Sequence, residues 1–375
     1  MEKRKIAKLN IETSLLGFGC MRFPTVDGKI EETEATKMLD LAYESGVNYF
    51  DTAYVYHGGE SEIFTGKVLD RYPRDSYFLA TKLPVWEVHC KEDVERLLDE
   101  QLSKLHKEYI DFYLLHALNS ARWDDMEKYQ VFEACEEMRA KGKIKYIGFS
   151  FHDDYDAFEK IIKAKDWDFC QIQLNYMDTD IQAGMKGYKL AESMGIPMVI
   201  MEPIKGGNLA VLPEEVESIF KTKRPEDSVA SWALRWVATL PNIMTVLSGM
   251  SNLEQTQDNL STFSNFEPMT DEENATVKTV ADTICSRVAN GCTGCRYCMP
   301  CPAGVDIPKN FHIWNQYHMY MNKGGLGWMW YNEIEESAKA HNCIKCGACE
   351  AVCPQKIKIR DDLETMEQEI SEALK

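Results

Sequence analysis

The sequence predicts an α/β protein, a (β/α)8 TIM barrel followed by a small, mostly helical domain rich in cysteine. Two observations predict this organisation. From residue 16 to about residue 261, short apolar runs alternate with amphipathic stretches at intervals of roughly 25–45 residues. Beyond residue 290 the alternation ends, and eight of the 13 cysteines of the 375-residue chain lie there. We therefore expect a barrel in residues 1–268, and a linking helix with the second domain in residues 269–375.

The predicted barrel strands are eight short apolar runs. In chain order they are Leu16–Gly19, Tyr49–Asp51, Tyr77–Lys82, Asp111–Leu115, Tyr146–Ser150, Phe169–Leu174, Pro197–Ile200 and Thr245–Ser248. Ahead of them, Lys5–Leu9 and Glu12–Leu15 predict a hairpin at the barrel floor.

Helical patterns separate these strands and continue into the second domain. The clearest are Glu31–Ser45, Lys91–Leu105, Asp124–Lys141, the linking helix Thr270–Val288, Pro308–Met321 and Gly327–His341. Gly46, Gly142 and Gly195 follow helical runs, where a C-terminal cap favours glycine. Thr270 stands before three acidic residues, as an N-terminal cap does.

Composition narrows the class of protein. Hydrophobic residues make up 45% and charged residues 27%, as in soluble globular proteins. No apolar run is long enough for a membrane span, and the N-terminus lacks the apolar core of a signal peptide. The net charge of −18 disfavours a nucleic-acid partner. It is explained by solubility alone or, alternatively, by a basic redox partner. Clustered cysteines indicate a reducing compartment, so we expect a cytoplasmic protein.

The cysteine motifs are typical of iron–sulfur proteins. The first is Cys292-x2-Cys295-x2-Cys298-x2-Cys301-Pro302, and the second is Cys343-x2-Cys346-x2-Cys349-x3-Cys353-Pro354. The second matches the bacterial ferredoxin run completely, so two [4Fe-4S] clusters are predicted. In two-cluster ferredoxins the fourth cysteine ligates the other cluster. This assigns Cys292, Cys295, Cys298 and Cys353 to one cluster and Cys301, Cys343, Cys346 and Cys349 to the other. Zinc is the alternative, but it favours two CxxC pairs separated by a longer gap.

Forty-one residues separate the two motifs, from Pro302 to Asn342, and they are rich in Trp, Tyr and Met. This segment resembles the helical dicluster ferredoxin domains of multi-domain redox enzymes. Trp314, Trp328 and Trp330 are expected to pack in that domain, with shielding of a cluster as the alternative.

Polar residues end four consecutive predicted strands. Asp51 ends the second, Lys82 the third, His116 follows the fourth, and Ser150 ends the fifth. Strand ends of this kind carry the chemistry of such barrels. Tyr56 lies five residues beyond Asp51, and a nearby ammonium lowers the pKa of a phenol. The set suits proton transfer to a carbonyl oxygen. Each residue alone is more often a cap or a surface charge, but four successive strand ends favour a site.

These residues lie in segments that resemble the aldo-keto reductases. The segments are Asn48-Tyr49-Phe50-Asp51-Thr52-Ala53, Tyr56, Ser61-Glu62, Thr81-Lys82 and Leu114-Leu115-His116, within a resemblance that covers about Lys5 to Asn265. The resemblance implies a catalytic tetrad of Asp51, Tyr56, Lys82 and His116. Tyr56 would donate the proton, Lys82 would lower its pKa, Asp51 would anchor Lys82, and His116 would orient the carbonyl. Hydride would come from NADP(H) or NAD(H).

The same resemblance implies a set of nucleotide contacts. They are Gly19, Cys20, Asp51, Ser150, Gln173, Met201, Pro203, Ile204, Gly207, Gly249, Ser251, Gln255 and Asn259. Phe151 stands where family members carry asparagine or arginine. Gly249 and Gln255 stand where many carry the Lys and Arg that bind a 2′-phosphate. Lys205 or Arg224 could supply that charge instead. For Cys20, a packing role is the favoured interpretation.

The combination of the two parts resembles the aldo-keto reductases that carry a C-terminal ferredoxin-like domain, an architecture common in anaerobic bacteria and archaea. Three hypotheses follow. In the first, the enzyme moves hydride between NAD(P)H and an aldehyde, ketone or alcohol. In the second, the clusters pass single electrons between the barrel and a ferredoxin or flavoprotein partner. In the third, the chain is a redox sensor that binds nicotinamide without turnover. The segment Ala117–Trp123, expected to be a loop, and the second domain would shape the substrate pocket.

Overall fold

The computed structural model describes all 375 residues. The chain divides into two compact units, one made of Met1–Gly206 with Ala230–Thr270 and the other of Gly207–Val229 with Asp271–Lys375. No helix is both long and apolar enough to cross a membrane.

The first unit contains a closed barrel of eight parallel strands, in the order β10-β11-β12-β3-β6-β7-β8-β9. The twelve strands of the chain are β1 Lys3–Ile6, β2 Ile11–Ser14, β3 Leu16–Gly19, β4 Thr25–Val26, β5 Lys29–Ile30, β6 Tyr49–Asp51, β7 Phe78–Leu83, β8 Ile110–Leu118, β9 Ile144–Phe151, β10 Phe169–Gln173, β11 Met198–Met201 and β12 Ile243–Ser248. All eight predicted barrel strands are confirmed, and none of their ends shifts by more than three residues.

Two antiparallel hairpins accompany the barrel. β1 pairs with β2, which confirms the predicted N-terminal hairpin, with strands that begin and end slightly earlier. Ile6 and Leu9 pack against Tyr49, Phe112 and Phe169 of the barrel interior, so this hairpin closes one end of the barrel. β4 pairs with β5 in a hairpin of two-residue strands, which are too short to show a periodicity in the sequence.

The helices are α1 Glu32–Glu44, α2 Glu60–Leu69, α3 Asp93–Leu105, α4 Ser120–Lys128, α5 Val131–Ala140, α6 Tyr155–Ala164, α7 Gly184–Ser193, α8 Glu214–Lys221, α9 Val229–Ala238, α10 Leu253–Ser264, α11 Asp271–Ser286, α12 Ile307–Tyr320, α13 Lys323–Asn332, α14 Ala348–Ala351 and α15 Ile359–Ala373. The prediction of a single helix over Asp124–Lys141 was wrong. The segment forms two helices, α4 and α5, because the backbone of Gln130 between them is left-handed, with a φ of 55°. The prediction over Gly327–His341 was also wrong: α13 lies earlier, begun by the Asn322 side chain, which accepts a hydrogen bond from the Gly325 amide.

Helices α2 and α3 approach each other so closely that Gly66→Ala is expected to destabilise the barrel. A Cβ at Gly66 would lie 2.6 Å from the Cα and carbonyl carbon of Leu105. Backbone cannot move aside as a side chain can, so we expect a loss of about 1–3 kcal/mol in the free energy of unfolding. Urea titration followed by tryptophan fluorescence measures it.

The control is Gly327→Ala in α13, where the nearest atom to an added Cβ is the Leu374 Cδ2, at 3.5 Å. This is ordinary van der Waals contact, so an alanine there is expected to be neutral or to stabilise by about 0.5–1 kcal/mol. Equal stabilities of the two variants would contradict the close approach of the helices.

The second unit has its own core of buried side chains from α12, α13 and α15, including Phe311, Trp314 and Leu363. Trp314 and Trp330 are buried there, as expected, whereas Trp328 is 61% exposed. Six of the eight motif cysteines, three from each motif, lie against this core. The helices α12 and α15 thus form a scaffold for the two cysteine-bearing loops.

Candidate active site and cysteine-lined cavities

Four of the predicted residues meet at the carboxyl ends of β6, β7 and β8, which are neighbours in the barrel. Asp51 is the last residue of β6, Lys82 lies near the end of β7, and His116 lies near the end of β8. Tyr56 opens the short 3-10 turn Tyr56–Gly59 that follows β6. The rings of Tyr56 and His116 stand edge to face, with centroids 6.2 Å apart.

The Lys82 ammonium joins this group together. It donates to Asp51 Oδ1 at 2.6 Å, to the Thr52 carbonyl at 2.8 Å and to the Tyr56 hydroxyl at 3.3 Å. Its three protons therefore have three acceptors. The lysine side chain is 1% exposed and that of Asp51 is 3% exposed. A buried ammonium paired in this way is fixed in position.

Burial governs the acidity of the group. It raises the pKa of Tyr56, and the attraction of Lys82 opposes that rise without cancelling it. Lys82 thus lowers the Tyr56 pKa, as expected, but burial raises it by more, and the phenol keeps its proton. Burial lowers the pKa of Lys82, but the attraction of Asp51 and Tyr56 outweighs burial and leaves it raised. Burial also raises the pKa of Asp51, against the attraction of Lys82. The lysine thus stays charged beside a protonated phenol.

His116 is neutral and lacks a partner at one nitrogen. Burial, with a smaller contribution from the Lys82 charge, lowers the pKa of His116 from 6.5 to about 2. The Trp86 ring flanks it, with centroids 5.3 Å apart. His116 Nδ1 and Asp51 Oδ2 are both buried without a hydrogen-bond partner. Unsatisfied buried polar atoms are costly in a folded protein, so these two atoms fit a small polar ligand at the barrel mouth.

The low pKa of His116 is expected to make the protein less stable in acid. Below the ordinary value of 6.5 the unfolded chain binds a proton that the folded site refuses down to a pH of about 2. Stability therefore falls with falling pH across this window, by up to about 1.4 kcal/mol per pH unit. Urea unfolding at about pH 7 and about pH 5.5 measures it, and the drop is expected to be smaller in His116→Asn.

The control for this experiment is His89→Asn, because His89 is exposed. It is expected to keep the wild-type drop. If His116→Asn and wild type lose the same free energy of unfolding in acid, His116 is not a buried neutral imidazole.

Other residues implied by the resemblance lie at the ends of the next barrel strands. Ser150 in β9 accepts a hydrogen bond from the Ala117 amide at 2.7 Å, which leaves its own hydroxyl proton to donate. Phe151 is fully buried and packs on Phe158 of α6, so it belongs to the core. The prediction of a loop over Ala117–Trp123 was wrong, because β8 continues to Leu118 and α4 begins at Ser120.

A buried carboxylate that sequence reasoning missed organises the end of β10. Asp178 is 2% exposed. It accepts from Gln173 Nε2 and Asn175 Nδ2, each at 2.9 Å. It also holds the Lys205 ammonium at 2.6 Å. Gln173 and Lys205 are therefore already engaged within the barrel. Arg224, the other cation considered, pairs with Glu273 at 2.5 Å within the second unit.

The loops after β11 and β12 contain the remaining implied nucleotide contacts. Met201 ends β11 and is followed by Pro203, Ile204 and the turn Lys205–Gly207. After β12, the Ser251 amide donates to Gln255 Oε1 at 2.8 Å. Asn259 donates to Ser248 Oγ at 2.9 Å. Gly249 lies between Ser248 and Ser251 in the chain. These side chains order the loop that carries them.

Gly19, the last residue of β3, and Cys20, which follows it, have different roles. The Gly19 backbone lies against Ser248, since a Cβ there would be 3.3 Å from the Ser248 carbonyl oxygen. Cys20 is fully buried, and burial raises the pKa of its thiol to about 12. A thiol of this kind is inert, which agrees with the packing role expected for Cys20.

The eight motif cysteines line two cavities in the second unit. Cys292, Cys295, Cys298 and Cys353 line one. Cys301, Cys343, Cys346 and Cys349 line the other, and Cys298 also reaches it. The Lys345 amide donates to Cys343 Sγ at 3.4 Å. Each cavity therefore gathers three cysteines of one motif and the last cysteine of the other.

Sequence reasoning also missed Trp86 and Arg122 beside His116. The Arg122 guanidinium lies 5.2 Å from the centroid of the Trp86 ring and donates to the Ala117 carbonyl at 2.7 Å. The only signal in the sequence is the place of Trp86, three residues after β7, in a strand-end segment where binding residues concentrate.

Comparison with known proteins extends these observations. A model of the aldo/keto reductase family matches residues 15–282, and a model of a 4Fe-4S dicluster domain matches residues 291–357. The uncharacterized oxidoreductase YqkF of Bacillus subtilis is 26% identical over 304 residues, which cover 73% of this chain and 94% of YqkF. L-galactose dehydrogenase of Arabidopsis thaliana is 24% identical over 289 residues, which cover 72% of this chain and 90% of that enzyme.

Among solved structures, the holo form of aldo-keto reductase AKR11C1 from Bacillus halodurans is similar to this chain with a TM-score of 0.63. The two are 26% identical, over 75% of this chain and 96% of that one. The matched family region spans the barrel, and the dicluster region spans both cysteine motifs.

Proposed function

This chain belongs to the aldo/keto reductase family of oxidoreductases and carries a 4Fe-4S dicluster domain, and from that premise we propose that it transfers hydride between NAD(P)H and an aldehyde or ketone. The reverse reaction is oxidation of the corresponding alcohol. One observation carries the proposal: the buried Lys82 ammonium bonds both Asp51 and the Tyr56 hydroxyl beside a neutral His116.

Each residue of this group has a role in carbonyl reduction. When bound, the nicotinamide supplies hydride to the carbonyl carbon. Tyr56 donates its hydroxyl proton to the carbonyl oxygen, and Lys82, 3.3 Å away, stabilises the phenolate that this leaves. Asp51 holds Lys82 in place at 2.6 Å. The neutral His116 donates a hydrogen bond that orients the same carbonyl oxygen.

Several features fit a nicotinamide at the barrel mouth. The unpartnered His116 Nδ1 and Asp51 Oδ2 offer polar contacts, and Ser150 keeps a hydroxyl proton to donate to a carboxamide. Met201 at the end of β11 gives the ring an apolar face. The side chains of Phe151 and Gln173 are less suited, because the first is buried and the second is held by Asp178.

We also propose that the second domain, residues 269–375, holds two [4Fe-4S] clusters with crossed ligands. The division of the cysteines between the two cavities supports the pairing of Cys353 with the first motif and of Cys301 with the second. No three His, Cys, Asp or Glu side chains converge closely enough to hold a single ion. A cubane does not need such convergence, because each of its four iron corners binds one thiolate. Such thiolates persist in a reducing compartment, so we place the protein in the cytoplasm.

The experiment uses protein purified without oxygen and with its clusters intact. Binding of NADH and NADPH is titrated by nucleotide fluorescence, and turnover with a panel of aldehydes and ketones is followed by nucleotide absorbance. We expect saturable binding of at least one nucleotide and multiple turnovers with at least one carbonyl. Binding without turnover would favour a nicotinamide-binding sensor, and the absence of binding would refute the proposal.

A second candidate function is single-electron transfer between the barrel and a ferredoxin or flavoprotein partner. Cys298 reaches both cavities, which favours two clusters close enough for electrons to pass between them. The test is turnover driven by reduced ferredoxin in the absence of nicotinamide, compared between wild type and Cys346→Ser. Equal rates in the two proteins would exclude a role for the clusters in that reaction.

A further inference from the structure

Arg22 lies three residues beyond β3 and places a cation between two other strand-end loops of the barrel. Its Cγ lies 3.1 Å from where a Cβ on Gly249 would stand, in the loop after β12. Its Nη2 lies 3.9 Å from where a Cβ on Gly206 would stand, in the loop after β11. The side chain therefore crosses both glycine backbones.

The charge of Arg22 is only loosely compensated. Its side chain is 46% exposed, and its ion pair with Glu202 has a distance of 3.9 Å between Nη2 and Oε1. By contrast, the nearby Lys205 ammonium is held by the buried Asp178 at 2.6 Å. Arg22 is thus the cation of this region that remains available to an incoming anion.

The glycines create the space that Arg22 uses. A Cβ at position 249 would lie only 3.1–3.2 Å from the Cβ, Cγ and Cδ of Arg22, closer than most side-chain contacts. Gly206 has a positive φ angle of 63°, which other residues rarely adopt. Bare backbone beside a guanidinium is a suitable environment for a phosphate oxygen.

We propose that Arg22 binds the pyrophosphate of the nicotinamide dinucleotide, an inference that rests on the function proposed above. The loops after the seventh and eighth strands of such barrels are the usual phosphate site, and these are the loops after β11 and β12. A guanidinium binds two phosphate oxygens at once. On binding, the pyrophosphate replaces Glu202 as the partner of Arg22.

The test is Arg22→Gln, with dissociation constants for NADH and NADPH measured by fluorescence titration of the cluster-loaded protein. Loss of a charged hydrogen bond is expected to weaken both nucleotides by roughly 10- to 100-fold. The salt dependence of binding is expected to fall as well. Arg22→Lys, which keeps the charge but not the planar fork, is expected to bind with intermediate affinity.

The matched control is Arg96→Gln, which removes an exposed arginine paired with Asp93 on α3. It is expected to bind both nucleotides as wild type does. If Arg22→Gln also binds as wild type does, the inference fails while the proposed function stands. Weakening of NADPH alone would overturn the pyrophosphate assignment in favour of a 2′-phosphate contact. If wild type binds neither nucleotide, it is the proposed function that fails.

Discussion

Replacing Tyr56 by phenylalanine is expected to lower kcat for carbonyl reduction by roughly a hundred- to ten-thousand-fold. The substitution removes one oxygen and keeps the ring that stands edge to face with His116. Burial holds the Tyr56 pKa above its ordinary value, so the phenol is protonated at neutral pH and acts as the proton donor. Without it, the developing alkoxide has no positioned acid. Affinity for NAD(P)H is expected to change little.

The control for this substitution is Tyr54→Phe. Tyr54 lies two residues earlier and contacts the Lys104 ammonium, 3.9 Å from its ring centroid, away from Lys82. Steady-state kinetics with the best carbonyl substrate of wild type, and a nucleotide titration of each variant, separate chemistry from binding. Unchanged turnover in Tyr56→Phe would remove the tyrosine from the mechanism and leave the clusters as the reactive groups.

Much of the barrel could be predicted because each strand is a short apolar run with glycine or a polar residue at its ends. The ends of the strands were less predictable, because pairing decides them. β8 runs on to Leu118, which pairs with Phe151 of β9 beyond an irregularity in the ladder. The break at Gln130 depends on a left-handed backbone that glutamine rarely adopts, so the helical pattern ran through it.

The residues of the candidate site also fall into two groups, those that the sequence could predict and those that it could not. Asp51, Lys82 and His116 could be predicted because each stands at a strand end, and neighbouring strands in a barrel bring such ends together. Arg22 could not, because Glu202 and Gly249, which lie near it, belong to loops that are distant in the chain. Their approach to Arg22 depends on closure of the barrel, with β12 paired to β3, which no local pattern contains. Asp178 could not either, because no local pattern indicates that its carboxylate is buried.

The cysteine prediction rests on spacing and on the ligand exchange of two-cluster ferredoxins. Three cysteines at intervals of three residues, with a fourth before proline, predict two [4Fe-4S] motifs, and exchange of the fourth ligand gives the two sets of four. The division of the cysteines between two cavities agrees with that pairing. Between the motifs, the helical pattern over Pro308–Met321 is confirmed by α12 to within one residue at each end. The second pattern lay too late in the chain, because Asn322 starts α13 earlier than it indicated.

Pairs of cysteine substitutions are expected to distinguish crossed ligands from uncrossed ones. Cys295→Ser with Cys353→Ser removes two ligands that line one cavity, and is expected to lose one cluster and about half of the iron and sulfide. Cys295→Ser with Cys301→Ser removes one ligand from each cavity, and is expected to lose most of both clusters. Iron and sulfide analysis with electron paramagnetic resonance of the reduced proteins measures each loss.

Cys285→Ser with Cys90→Ser is the matched control, because both of these thiols are exposed and lie outside the two cavities. It is expected to keep the full iron content. With uncrossed ligands the outcome reverses: substitution of Cys295 and Cys301, both in the first motif, spares one cluster, whereas substitution of Cys295 and Cys353 damages both. Because the two patterns are opposite, the iron content of these two proteins decides which motif supplies each fourth ligand.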